Sequence, residues 1–198
     1  MRSVSASPST REAIVTTATR LFGQRGIEAT SLREVAKASE VSPALLVHHF
    51  GGKNGLVAAV DEAALLEFGG AYAGEEPAEA ADLLRRRAAQ TAHVMHERPD
   101  VCAYLGRALV ERTPGAERLF QAMIAGGRKE IDGLAASGAL RPDADRLWAT
   151  LQHFFLIWAP LSFLPLLTEV LDAPLLDQDQ LERWVEANVE LLEKGIYG

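Results

Sequence analysis

The chain has 198 residues, 48% of them hydrophobic and 24% charged, so there is material for a real core in one large or two small domains, and a disordered or fibrous chain is excluded. Its single cysteine, Cys102, excludes a disulfide within the chain and fits a reducing, cytoplasmic setting, with the thiol buried as a small apolar group. The formal charge of −7 is unevenly spread: residues 1–60 carry seven Lys/Arg against four Glu, a net of +3, and the remainder carries thirteen against 23, a net of −10, so only the first segment has the sign a polyanion requires.

The first eight residues, MRSVSASP, contain no apolar run and read as a disordered arm, not a signal peptide. Ser9-Thr10-Arg11-Glu12 is a capping box, and the helix it starts carries Ile14, Ala18, Leu21 and Phe22 on one side and ends near Gly26. A second capping box, Ser31 to Glu34, predicts a helix from Leu32 with Val35 and Ala36 on its apolar side. The chain turns near Ser39-Glu40-Val41. Ser42 then caps a third helix, with Pro43 at the first position, where no N–H is needed. Leu46 and Phe50, four apart, point inward. Pro43, Ala44, Val47 and His48 are left on an outer face, and His49 is placed beside Phe50. Gly51-Gly52 breaks this helix. Lys53 opens a fourth, with Leu56, Val57, Val60, Ala64 and Leu65 facing inward, running to about Phe68. Two short capped helices joined by a tight turn are the helix-turn-helix plan, which lays its second helix in a DNA major groove.

The pattern T-S-L-R-E-V-A-x-x-S-x-V-S-x-x-L-L-x-H-H-F-x-x-K-x-x-L resembles the DNA-binding segment of the TetR family of bacterial repressors, with the likeness running from about Thr10 to Val60. The resemblance implies an all-α protein: an N-terminal three-helix helix-turn-helix domain over residues 1–55 and a larger helical regulatory and dimerisation domain over 56–198. It implies a homodimer on a near-palindromic double-stranded operator, released by an unidentified small-molecule effector. Thr30, Ser31 and Lys53 are expected at phosphates. Arg33, Ser42, Pro43, Leu45, Val47 and His48 are expected at or near base edges, with core packing as the alternative for Leu45. Two departures stand out. The family usually has Gly where this chain has Glu40, which predicts strain in the turn. It usually has an aromatic residue, most often Tyr, where this chain has Val47.

Gly69-Gly70 through Glu75-Glu76-Pro77 reads as a bend or loop. A helix from Pro77 to about Glu97 follows, with Leu83, Leu84, Ala88, Thr91, Val94 and Met95 as its apolar positions. Arg85-Arg86-Arg87 reads as a solvated face paired with acids. Pro99 starts a helix through Val110. Thr113-Pro114 starts another, ending around Gly138 and interrupted at Gly126-Gly127. His93 and His96 share a helix side, but two ligands are not a metal site, and no metal or cofactor is expected. The run from Phe154 to Leu167 is too short for a membrane span and contains Pro160 and Pro165, so it reads as a buried, kinked helix or helix pair after Arg141-Pro142-Asp143. Asp177 and Gln180 are expected to cap a last helix with Leu181, Trp184, Val185, Val189 and Leu192 in one stripe.

From this second part, Phe68, Tyr72, His93, Tyr104, Phe120, Met123, Phe155 and Trp158 are expected to line a pocket for a hydrophobic or aromatic ligand. Trp148, Phe154, Leu161, Trp184, Asn188 and Leu191 are expected at a two-fold interface, because the apolar segment needs more cover than the last helix offers. Two other readings compete: a DNA-binding dimer controlled by a partner protein, and an enzyme centred on His93, His96 and Glu97.

Overall fold

The computed structural model describes residues 9–71 and 80–195. The N-terminal arm, Tyr72 and the expected helix start at Pro77 lie outside them. Four helices form the first unit: α1 (Thr10–Arg25), α2 (Leu32–Ala38), α3 (Pro43–Phe50) and α4 (Lys53–Ala71). Both capping boxes form, with the Ser9 and Ser31 hydroxyls accepting from the Glu12 and Glu34 backbone N–H groups. Ile14, Ala18, Phe22, Val35, Leu46, Leu56 and Val60 meet in one core between these helices. The 3.6-residue periodicity of each helix decides which side chains reach it. Gly69-Gly70 does not end α4, which runs on to Ala71. It has packed neighbours in α1 and α7, and such packing overrides the modest cost of glycine within a helix.

The rest comprises α5 (Ala80–Glu97), α6 (Pro99–Glu111), α7 (Pro114–Ala136), α8 (Arg146–Ser162), the single turn α9 (Leu164–Leu167) and α10 (Gln178–Gly195). Gly126-Gly127 does not interrupt α7. Helix α8 begins after Arg141-Pro142-Asp143, where Asp145 accepts from the N–H groups of Leu147 and Trp148. Pro160 falls in its last turn and Pro165 in the first turn of α9. Pro165 sits where no N–H is needed, whereas Pro160 removes a hydrogen bond inside α8, which ends two residues later at Ser162; the apolar run becomes a long helix followed by a short turn. Gln180 does not cap α10; it is buried and accepts from Arg183. Helix α8 packs on α6 and α7, whereas α10 lies chiefly along α5, reaching α8 through Leu156 beside Val189 and Leu192. Among the described residues no helix is long and apolar enough to cross a membrane.

Candidate nucleic-acid interface

Helix α3 is seated by Leu46 and Phe50, which are buried against the other helices of the first unit. The Arg11 guanidinium lies 5.3 Å from the centre of the Phe50 ring, a cation–π contact that ties α1 to the end of α3. Ser42 accepts from the Leu45 N–H at 3.1 Å. The rest of α3 faces outward: Pro43, Ala44, His48 and His49 are exposed, with Leu45 at 36% and Val47 at 48%. The alternative of core packing for Leu45 is thereby settled in favour of the surface. His48 and His49 meet edge to face, and His49 also lies beside Phe50. Ser31, Arg33 and Lys37 on or before α2 are exposed as well.

The link from α2 to α3 is a Schellman turn. The Glu40 N–H donates to the Lys37 carbonyl at 3.2 Å and the Val41 N–H to the Ala36 carbonyl at 3.0 Å. This motif places one residue in the left-handed region, and Glu40 occupies it with φ 55°. Glycine carries no Cβ penalty there. Glu40→Gly should therefore stabilise the protein by about 0.5–1 kcal/mol after the entropy of the unfolded glycine is deducted, raising Tm by about 1–4 °C. A lower Tm in thermal denaturation would show that the Glu40 side chain holds the turn.

Two phosphate expectations change. Thr30 is buried and its hydroxyl donates to the Gly26 carbonyl at 2.8 Å, so the side chain closes the α1–α2 loop and does not face a phosphate. Lys53 is half-buried; its ammonium donates to the Glu28 carbonyl at 3.2 Å and lies 3.6 Å from the Glu28 carboxylate. It ties the start of α4 to the same loop. Ser31 remains outside, but its hydroxyl donates to Glu34 at 2.8 Å. Hydrogen bonds from the Ser31 N–H and hydroxyl hold the Glu34 carboxyl below the usual range, with Arg25 contributing less.

Residues 14–60 match the family model of bacterial regulatory proteins of the tetR family. The helix-turn-helix segment of the chain is thus of the TetR type. The likeness in fold reaches beyond that segment. The regulator PfmR from Thermus thermophilus is 22% identical, and the similarity covers 96% of this chain and 98% of PfmR with a TM-score of 0.75. The regulatory protein RaaS from Mycobacterium tuberculosis is 32% identical over 63% of this chain and 56% of RaaS. The transcriptional repressor Rv3405c from the same species is 50% identical over 24% of this chain and 26% of its own. The chain thus spans less than two thirds of these curated relatives.

The residues expected to line a TetR-type effector pocket are scattered. Tyr104 is fully buried and its hydroxyl donates to Asp61 at 2.6 Å; burial, with the Asp61 carboxylate second, pushes its phenol well up. Trp158 is a core residue and Met123 packs against that core. His93 and Phe155 are exposed, Phe155 at 49%. Tyr72 and the Phe68 side chain lie outside the description. Phe120 borders an open cleft, of about 720 Å³, with Leu109, Arg112, Glu117, Arg118 and Gln121.

Two of the residues expected at the two-fold interface pack within the chain's own core. Phe154 meets Phe120 edge to face at 4.9 Å and stacks on Trp158 at 6.1 Å, and Leu161 is buried in the same core. Both face inward, because successive helical residues turn by about 100°. That rotation points Phe155 outward, seven residues from Trp148, which is 56% exposed. Leu191 on α10 is exposed; Trp184 and Asn188 are half-buried, and the Asn188 amide donates to the Trp184 carbonyl at 2.9 Å. Asp61, absent from the sequence-level site, is the buried acid of α4. Its only signal in sequence is a carboxylate on the side of Leu56, Val60 and Ala64.

Proposed function

We propose that this chain is a transcription repressor that binds a near-palindromic operator as a homodimer and is released by a small apolar or aromatic effector. The observation that carries this reading is the outward face of α3, held rigid by Leu46, Phe50 and the Ser42 cap. His48, Val47 and Leu45 offer imidazole and methyl groups to base edges, the latter suited to thymine methyls. Ser31, Arg33 and Lys37 flank that face for the backbone. The repressor assignment draws on the likeness to a relative named as a repressor. The homodimer draws on the apolar outer face of α8, and the effector on the cleft beside Phe120, whose Leu109 and Phe120 supply apolar surface and whose Arg118 and Gln121 supply polar groups.

A second reading, control by a partner protein, is favoured by Tyr104 and Trp158 filling the core instead of lining a cavity. Selection of duplexes from a random pool by the purified protein tests DNA recognition. The expected product is an inverted repeat with half-sites separated by about 34–36 Å or a multiple. Its affinity should fall on adding apolar or aromatic compounds that bind the cleft. No enrichment, or enrichment without symmetry, would sink the operator reading; an operator whose affinity no such compound alters favours the partner reading.

A further inference from the structure

We propose that α6 clamps the DNA-binding unit at two points, and that Arg107 and Tyr104 are positioning residues for operator recognition. They sit three apart on α6, so they leave the helix on one side. Each grips a different helix of the first unit. Arg107 donates from Nε to the Gly23 carbonyl at 2.7 Å and from a terminal nitrogen to the Gln24 carbonyl at 3.3 Å. Those carbonyls lie in the last turn of α1, where helical backbone oxygens have no partner of their own and the helix dipole favours a cation. A Cβ on Gly23 would lie 2.9 Å from the Tyr104 backbone nitrogen, so α1 and α6 approach at backbone distance beside this grip.

The second point is Asp61 on α4. Its Oδ1 accepts from the Tyr104 hydroxyl at 2.6 Å and from the Thr113 hydroxyl at 2.9 Å, and its Oδ2 accepts from the Gly115 N–H at 3.0 Å. A buried carboxylate satisfied by three donors is costly to disturb, because each donor lost leaves a charge short of a partner. Helix α6 is itself pinned from behind. Gly106 leaves no room for a Cβ against the Leu161 carbonyl of α8. Any displacement of α6 relative to α1 and α4 must break one grip or carry both helices with it. The orientation of α3, which is packed on α4 and follows α2, is set through that pair.

The inference rests on the DNA-binding reading, and its test separates the two. Arg107→Ala and Tyr104→Phe, with Arg128→Ala at the exposed surface of α7 as control, are compared in full-length protein for affinity and salt dependence on the selected duplex. Amide hydrogen exchange is followed in parallel. Each clamp variant should bind about tenfold more weakly, with the salt slope of the wild type, because neither residue touches a phosphate. Exchange should rise at the end of α1 for Arg107→Ala and along α4 for Tyr104→Phe, with α8 and α10 unchanged. Affinity within twofold of wild type in both variants, or a reduced salt slope, overturns the proposal. If the wild type selects no duplex, the DNA-binding reading fails and exchange alone decides: unchanged protection in both variants removes the clamp as well.

Discussion

Gly55→Ala should disable the DNA-binding unit. A Cβ on Gly55 would collide with the Phe50 carbonyl oxygen, and the next nearest atoms are also Phe50 backbone. No flexible side chain can yield there; the end of α3 or the start of α4 has to move. Overpacking of this kind costs about 3 kcal/mol, a Tm loss of about 6–12 °C for a chain this size. The functional effect should be larger still, since α3 would be re-aimed relative to α2, and a misplacement of 1.4 kcal/mol already means about tenfold in affinity. Thermal denaturation and binding to the selected duplex measure both. Wild-type affinity in the variant would mean that α3 and α4 do not meet as closely as described.

On the proposed homodimer, replacing Trp148 and Phe155 together by Glu should give monomers that stay folded. Both side chains are about half exposed on one face of α8, and large apolar groups left at a surface mark an interaction site. Central aromatic residues often contribute 2 kcal/mol or more each to an interface, so the double variant should weaken dimerisation by roughly three orders of magnitude. A monomer reads one half-site, so operator affinity should fall with it. Trp184 is the poorer target: it packs on the chain's own core, and a charge there attacks folding and assembly together. Sedimentation at micromolar concentration decides the matter. A double variant with the mass of the wild type would remove α8 from the interface.

Local chemistry made the first unit legible in the sequence. Ser9, Ser31 and Ser42 cap their helices through bonds spanning three residues, and Leu46 and Phe50 face inward by helical spacing alone. Strain at the left-handed Glu40 is implied by the family resemblance, which puts Gly at that position. None of these depends on where distant segments lie.

What tertiary structure decided were choices between adjacent residues or distant partners. Phe154 and Phe155 are alike in sequence; which faces Phe120 and Trp158 depends on how α8 rolls against α6 and α7. Thr30 could have met a phosphate, and turns to the Gly26 carbonyl because the α1–α2 loop closes around it. Helix α10 found α5 along its length, not α8, since an amphipathic stripe specifies that a face is buried but not by which neighbour. Asp61 joins Tyr104 and Thr113 across 43 and 52 residues of sequence. Periodicity carries no information about a pairing that exists only once α4, α6 and α7 are packed together.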